Sequence, residues 1–190
     1  MGSFEKYHAF VSKWEGGLSD NKKDPGGITK YGVSLRFLKG LGLALGDLDH
    51  DGDVDADDIR NMTPEQSRAI FRREFFNRYS IADYPAPVGM ALYDAMVNMG
   101  PVQAGKCLQY ALNFYPGMTL LVDGVIGNNT KKALASKCVT EATTMNVALR
   151  AVAQRQKFYH CLVKKNPDLD RFLLGWLNRT NALTKYIQEM

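Results

Sequence analysis

Residues 14–32 have the sequence Trp-Glu-Gly-Gly-Leu-Ser-Asp-Asn-Lys-Lys-Asp-Pro-Gly-Gly-Ile-Thr-Lys-Tyr-Gly. Ahead of this stretch, apolar side chains recur every three to four residues over residues 4–14, which predicts a short amphipathic helix. The glycines and the proline between residues 16 and 27 cannot continue that helix, because glycine loses the most entropy on ordering and proline lacks an N–H group. The chain is therefore expected to leave the helix at Glu15 and to fold back, through a small two-strand ribbon.

Two carboxylates of this stretch, Glu15 and Asp24, are predicted to face each other across the turn, together with the hydroxyl of Thr29. Hydrolysis of a glycosidic bond needs a proton donor for the leaving oxygen, and a second group that holds negative charge or a water molecule against the sugar. Glu15, next to Trp14, can be partly shielded from water, which suits the proton donor. The same residues also fit a solvated helix end followed by an ordinary Asp-Pro-Gly turn.

Helical patterns continue through most of the remaining chain. Thr63-Pro64-Glu65-Gln66 predicts a helix start with a capping box, and Gly100-Pro101 predicts the end of one helix and the start of the next. We place a domain boundary there, between residues 1–100 and a helical half, residues 101–190. The predicted fold class is mostly α, an α+β arrangement whose minor β excursion follows the first helix.

The positive charge of the chain is concentrated in its second half. The net charge is +4, and residues 101–190 carry 12 lysines and arginines against 5 aspartates and glutamates, an excess of seven. Such an excess suits an anionic polymer or surface, although a solvated basic face fits as well. The dense basic clusters with interleaved aromatic residues that are typical of nucleic-acid readers do not occur, so no nucleic-acid partner is expected.

The sequence shows no transmembrane span and no signal peptide, and its three cysteines lack the spacing of a disulfide framework or a zinc site. We therefore expect synthesis in the cytoplasm, no membrane insertion and a monomer. Action at a cell wall or in a periplasm would then follow release or non-classical export.

Residues 46–58, Gly-Asp-Leu-Asp-His-Asp-Gly-Asp-Val-Asp-Ala-Asp-Asp, predict a cation site. Hard oxygen ligands at alternate positions around a glycine turn suit Ca²⁺. The predicted ligands are Asp47, Asp49, Asp51, Asp53, Asp55 and Asp58. We expect a structural Ca²⁺ ion and no cofactor for catalysis, while a solvated acidic loop that binds nothing tightly is the alternative.

Four motifs within residues 4–100 carry a resemblance to a known family: Trp-Glu-Gly-Gly at 14–17, Asp-Pro-Gly-Gly-Ile-Thr-Lys-Tyr-Gly-Val-Ser at 24–34, Tyr93-Asp94, and Asn98-Met99-Gly100. Together they resemble glycoside hydrolase family 108, lysozyme-like muramidases of phages and bacteria. The resemblance implies a lysozyme-like fold and cleavage of the β-1,4 bond between N-acetylmuramic acid and N-acetylglucosamine, with Glu15 as the catalytic residue. The spacing of Glu15, Asp24 and Thr29 is also similar to the triad of phage-type lysozymes, although Thr29 sits one residue nearer to Asp24 than is usual there.

Further motifs concern substrate binding. Tyr31 and Asp94 are predicted to line a saccharide cleft, and either also fits the edge of a core. Residues 122–134, Val-Asp-Gly-Val-Ile-Gly-Asn-Asn-Thr-Lys-Lys-Ala-Leu, resemble the Asp-Gly-x-x-Gly-x-x-Thr signature of peptidoglycan-binding modules, and residues 175–179 resemble the end of such a module. The resemblance implies a C-terminal peptidoglycan-binding domain. Taken alone, Asp-Gly-x-x-Gly before a helix is also a tight turn with a helix cap.

The sequence thus predicts a peptidoglycan hydrolase of the endolysin or autolysin type. Glu15 would protonate the glycosidic oxygen, Asp24 would stabilise charge or orient water, and Thr29 would assist. Two alternatives stay open. One is a lytic transglycosylase in which Glu15 alone acts as acid and base, and the other is a non-catalytic peptidoglycan-binding or secretion-associated protein.

Overall fold

The computed structural model describes residues 3–20 and 26–190. Within these ranges the chain is mostly helical and forms one two-stranded sheet, which confirms the predicted fold class. The α-helices are α1 Phe4–Val11, α2 Leu35–Gly40, α3 Leu43–Gly46, α4 Ala56–Asn61, α5 Pro64–Phe71, α6 Ala86–Met99, α7 Pro101–Asn113, α8 Asn128–Lys137, α9 Glu141–Lys165 and α10 Asp170–Gln188. The strands are β1 Thr29–Lys30 and β2 Val33–Ser34.

The chain divides into two compact units. One, called here the small unit, is His8–Glu74, and the other, called here the helical unit, joins Met1–Tyr7 to Phe75–Met190. The boundary predicted at Gly100 differs from this division, because α6 belongs with α7, α9 and α10, against which it packs. The assignment of catalysis to residues 1–100 and of wall binding to residues 101–190 stays a prediction.

The small unit is built around a short ribbon that follows α1. Helix α1 ends at Val11, and β1 pairs with β2 in antiparallel register, with Thr29 opposite Ser34. Ser34 then caps α2, since its hydroxyl accepts a hydrogen bond from the N–H of Phe37 at 3.2 Å. The predicted fold-back after α1 is confirmed. Buried apolar side chains of this unit include Phe10, Val11, Ile28, Val33, Leu38, Ile59, Met62, Ile70 and Phe71.

Helix α5 begins as its sequence predicts. Thr63 and Gln66 form the capping box, with reciprocal hydrogen bonds of 2.8 and 3.2 Å. At Arg72 the α-helix gives way to a π-helix, Arg72–Asn77, which the apolar periodicity did not predict.

The helical unit is held together by long helices that pack around α6. Every residue of α6 from Val88 to Met96 is buried, and α7, α9 and α10 all contact this helix. Gly100 separates α6 from α7, with Pro101 in the first turn of α7, as predicted. The three cysteines are free, and Cys107 is buried whereas Cys161 is exposed. Among the described residues, no helix combines the length and the apolar content that crossing a membrane requires.

Candidate active site

A small cavity of about 80 Å³ lies beside Glu15 in the small unit. Its walls come from α1 and the turn after it, from the ribbon and from α5, and its lining residues are His8, Ser12, Glu15, Tyr31, Pro64, Ser67 and Phe71. The structure therefore brings together two residues that the sequence analysis selected, Glu15 and Tyr31.

Glu15 lies in the loop between α1 and the ribbon, and its side chain is half-buried. The backbone is tied down on both sides of it: the N–H of Trp14 donates to the carbonyl of Val11 at 2.9 Å, and the N–H of Tyr31 donates to the carbonyl of Gly16 at 3.1 Å. The carboxylate is thus carried by a backbone with fixed neighbours while part of its surface stays accessible.

The ribbon turn passes directly against the Glu15 carboxylate at Gly32. A Cβ atom on Gly32 would lie 2.6 Å from Glu15 Oε2 and 2.9 Å from its Cγ, far inside van der Waals contact. Gly32 also has a φ of +78°, in the left-handed region that favours glycine. The position of the carboxylate therefore depends on the absence of a side chain at residue 32.

Tyr31 precedes Gly32 in the same two-residue turn and has a φ of +49°, which is uncommon for a bulky side chain. The turn is held in place by α5, because the hydroxyl of Ser67 donates to the carbonyl of Tyr31 at 3.0 Å. Strained backbone of this kind tends to occur at functional sites. Here it places Tyr31 in the wall of the cavity that contains Glu15.

The other two predicted catalytic residues are Thr29, which the structure describes, and Asp24, which it does not. The hydroxyl of Thr29 donates to the carbonyl of Gly27 at 3.2 Å, and the backbone of Thr29 pairs with Ser19 at 2.8 and 2.9 Å. Asp24 lies outside the described residues. The roles of Asp24 and Thr29 stay predictions.

Asp94 lies in the core of the helical unit and has no exposed surface. Its Oδ1 accepts from Arg179 Nε at 3.0 Å and lies 2.9 Å from Arg179 Nη2, while its Oδ2 accepts from Arg155. Burial alone would raise the pKa of Asp94, but the charges of Arg155 and Arg179 outweigh burial and hold this pKa below its ordinary value. The prediction that Asp94 lines a saccharide cleft is contradicted, since a carboxylate enclosed by two arginines has no surface to offer a sugar.

A buried network extends from this ion pair to other residues of the sequence motifs. Arg155 donates to the hydroxyl of Tyr159, which donates to Asn98, and the Tyr159 ring stacks on Trp176 with centroids 4.9 Å apart. The network joins α6, α9 and α10. Sequence reasoning missed Arg155, although this arginine lies in step with the apolar stripe Val147, Ala148, Ala151, Val152, and that position could have indicated burial.

The acidic loop folds its carboxylates toward Asp58. Oxygen atoms of Asp47, Asp49 and Asp58 lie within 4.8 Å of one another, and so do those of Asp53, Asp55 and Asp58. Within the described residues, the predicted ligand Asp51 joins neither group, and its Oδ1 accepts from the N–H of Asp53 at 3.1 Å.

The buried carboxylate of Asp58 also organises the backbone of this loop. It accepts hydrogen bonds from the N–H groups of Leu48 at 2.6 Å and Asp55 at 2.7 Å. The pKa of Asp49 and that of Asp53 are raised, mainly by local desolvation and in addition by repulsion from neighbouring aspartates.

The Asp-Gly motif of the second half forms a turn that is locked by a buried glutamine. Asp123 Oδ1 accepts from the N–H of Val125 and from Gln109 Nε2, both at 2.8 Å, while the N–H of Gly124 donates to Gln109 Oε1 at 2.7 Å. A Cβ atom on Gly105 would lie 2.1 Å from the carbonyl oxygen of Gly124. The turn thus packs directly on α7, which explains why residue 105 of that helix is a glycine.

Comparisons with known proteins match the segment that contains Glu15 and the segment that contains the Asp-Gly turn. The model of the family described as glycosyl hydrolase 108 matches residues 8–100, and the model described as a predicted peptidoglycan domain matches residues 103–181. The chain is similar to the structure of Brucella abortus SagA, with a TM-score of 0.68 and 26% identity, over 98% of this chain and 94% of that chain. A search of curated proteins finds no match. The resemblance inferred from the sequence motifs and the lysozyme-like fold are confirmed.

Proposed function

Because the chain joins a segment of the glycosyl hydrolase 108 family to a predicted peptidoglycan domain, we propose that it is a muramidase. In this proposal it hydrolyses the β-1,4 bond between N-acetylmuramic acid and N-acetylglucosamine, and Glu15 is the general acid. The observation that carries the proposal is the half-buried Glu15 carboxylate, which lies in a cavity wall against a turn with no side chain at Gly32.

The chemistry assigned to Glu15 follows from its surroundings. A proton donor must reach the leaving oxygen of the sugar and must keep its position while the bond breaks. The tied loop fixes the backbone on either side of Glu15, and the accessible part of its side chain can reach a glycan laid along the cavity. Glu15 would transfer its proton to the leaving oxygen as the glycosidic bond breaks. A water molecule would add to the sugar carbon and give up a proton to Asp24 or, in a retaining reaction, to the deprotonated Glu15.

Asp24 is proposed as the ionised partner, which either orients that water molecule or stabilises the developing positive charge. Carboxyl groups about 6.5–9.5 Å apart would give inversion of the anomeric carbon, and a separation of about 5–5.5 Å would give retention. The stereochemistry of the first product, followed by NMR, distinguishes the two.

The ring of Tyr31 is proposed as a substrate contact in the same cavity. The left-handed backbone of Tyr31 is held by the hydrogen bond from Ser67 on α5, and both Tyr31 and Glu15 line the cavity. Tyr31→Ala is expected to raise KM more than it lowers kcat.

The test of the proposal compares release of soluble muropeptides from purified peptidoglycan by the wild type, Glu15→Gln and Glu65→Gln. Glu65 is an exposed residue in the first turn of α5 and serves as the matched control. We expect Glu15→Gln to lose about a thousandfold in rate and Glu65→Gln to retain activity. A folded Glu15→Gln protein, checked by circular dichroism, that cuts at the wild-type rate would overturn the proposal.

The products separate hydrolysis from the transglycosylase alternative. Hydrolysis adds one water molecule per bond cut, whereas a transglycosylase leaves an anhydro sugar, and mass spectrometry of the digest resolves the difference. Wall binding without any soluble product would support the non-catalytic alternative instead.

We also propose that the protein acts at the cell wall as an endolysin or autolysin, with residues 101–190 adding affinity through their excess of positive charge. Electrostatic attraction of this kind weakens with salt. Co-sedimentation of the full chain with purified walls should therefore fall as the salt concentration rises from 0.05 to about 0.5 M.

The acidic loop is proposed as a structural Ca²⁺ site. The observation in its favour is that two groups of three carboxylates share Asp58 and that the oxygen atoms within each group lie within 4.8 Å of one another. Carboxylate oxygens are the hard ligands that Ca²⁺ takes. Isothermal titration of the full chain with CaCl₂, after treatment with a chelator, tests this assignment. Absence of heat and of any change in melting temperature would overturn it.

A further inference from the structure

A groove with a volume of about 650 Å³ runs along α8 in the helical unit, beside the locked Asp-Gly turn. Its walls are formed by part of the segment between Met118 and Ser136 and by the buried Gln109. The volume falls within the range of about 300–1,000 Å³ that is typical of ligand sites. It is much larger than the cavity beside Glu15, and it lies entirely within the segment that matches the predicted peptidoglycan domain.

The groove carries charges of both signs at its edges. Asp123 offers a carboxylate whose pKa is lowered by the hydrogen bond from Gln109 and by the N–H of Val125, so that it stays ionised. Lys132 lines the same groove from α8. The N-terminus of α8 also points its partial positive charge into this region, with Gly127 as an N-cap that makes no side-chain hydrogen bond.

Apolar and amide groups lie between those charges. Leu121 and Val125, which line the groove, are 79% and 64% exposed, so their aliphatic groups are accessible to a ligand. Asn128 and Asn129 supply amide donors and acceptors. Of the described residues that line the groove, none is aromatic, so it lacks the flat ring faces on which sugars commonly stack.

We propose that this groove binds the peptide stem of peptidoglycan, a short peptide that combines ammonium and carboxylate groups with small apolar side chains. Asp123 receives the ammonium group, Lys132 and the start of α8 receive a carboxylate, and Leu121 and Val125 contact the methyl groups. The assignment rests on the proposed function, since it names the part of the wall polymer that the second half of the chain holds.

The chain contains its own matched controls for this site. Lys131 and Lys132 are adjacent exposed lysines on α8, but only Lys132 lines the groove, while Lys131 lines cavities on the other side of the helix. Ser136 and Ala135 form a second pair of the same kind, in which Ser136 faces the groove.

The experiment is isothermal titration of the full chain, carrying Glu15→Gln, with two probes: a synthetic sugar-free stem tetrapeptide that contains a diamino acid, and a tetramer of N-acetylglucosamine. We expect the peptide to bind, Lys132→Glu to weaken it about tenfold, and Lys131→Glu to change it less than about twofold. Ser136→Trp should abolish peptide binding, whereas Ala135→Trp should leave it intact. Absence of peptide binding, equal effects of the two lysine variants, or displacement of the peptide by the tetrasaccharide would overturn the assignment.

Cleavage of peptide-free glycan strands separates this proposal from the muramidase proposal. The wild type should cut such strands at the same rate with and without added stem peptide, because the strands contain nothing for the groove to bind. Failure of the wild type to cut them counts against the muramidase proposal and not against the groove. Inhibition of their cleavage by the added peptide counts against the groove as the peptide site.

Discussion

Glu15 and Asp94 are both carboxylates within sequence motifs, and the structure gives them opposite surroundings. Glu15 lies in a loop of the small unit, half-buried, in the wall of a cavity. Asp94 lies on a long helix of the helical unit, with no exposed surface and with Arg155 and Arg179 on its two oxygens. The same chemical group is therefore accessible from a cavity in one place and neutralised by arginines inside the core in the other. Membership of a sequence motif does not distinguish an accessible carboxylate from a buried, ion-paired one, whereas burial and bonding partners do.

The largest expected effect comes from removing the negative charge at Asp94. Asp94→Asn leaves two buried guanidinium groups without their anion, which costs about 3–5 kcal/mol of stability. Urea unfolding followed by circular dichroism measures the loss, with Asp168→Asn, at an exposed position, as the control. Activity per folded molecule should be retained at low temperature, the opposite of Glu15→Gln. A loss below about 1 kcal/mol would show that the buried cluster contributes little.

The second largest effect is expected from displacing the Glu15 carboxylate. Gly32→Ala would push a methyl group into the Glu15 carboxylate, and a displacement of about 1 Å can cost on the order of a hundredfold in rate. Gly42→Ala is the matched control, because Gly42 has nearly the same φ, +75°, and meets nothing within 4 Å. Muropeptide release and thermal unfolding are measured for both. Equal losses of activity would mean that backbone strain, and not contact with Glu15, explains the need for glycine.

The acidic loop provides a third environment, in which carboxylates have mainly one another as neighbours. Saturating Ca²⁺, at about a hundred times its Kd, should stabilise the protein by about 2.7 kcal/mol, and a chelator should reverse the effect. Asp53→Asn should weaken Ca²⁺ binding, whereas Asp57→Asn should not, because Asp57 instead pairs with Arg60 at 2.7 Å. Titration calorimetry on both variants measures this difference, and equal affinities would count against the proposed ligand set.

The smallest expected effect is a difference in acid sensitivity. Because the folded-state pKa of Asp94 lies below its ordinary value, its contribution to stability is present above the unfolded pKa of about 3.9 and is lost as the pH falls through the folded pKa. The stability gap between the wild type and Asp94→Asn should therefore be constant from about pH 5 to 7 and narrow below about pH 4. A gap that does not change with acid would contradict the ion-pair explanation.

Local features were predictable from the sequence because local physics determines them. The capping box at Thr63 and Gln66, the cap at Ser34, and the helix stop at Gly100 each depend on residues within a few positions of one another. The fold-back after Glu15 was equally local, since glycine and proline end a helix wherever they cluster.

The features that escaped prediction depend on residues far apart in the chain. Arg155 and Arg179 lie 61 and 85 positions after Asp94, so the pairing that buries this carboxylate leaves no local pattern. The left-handed backbone of Tyr31 was also unexpected, because propensity disfavours it and only the surrounding turn stabilises it.

The separation between Asp94 and Arg179 also sets an order of events during synthesis. At about 5–20 residues per second, the ribosome adds Arg179 roughly 4–17 s after Asp94. During that interval Arg155 is the first of its two arginine partners to be made, and Asp94 Oδ1 still lacks Arg179. The complete ion-paired cluster that joins α6, α9 and α10 can therefore form only after the last helix has been synthesised.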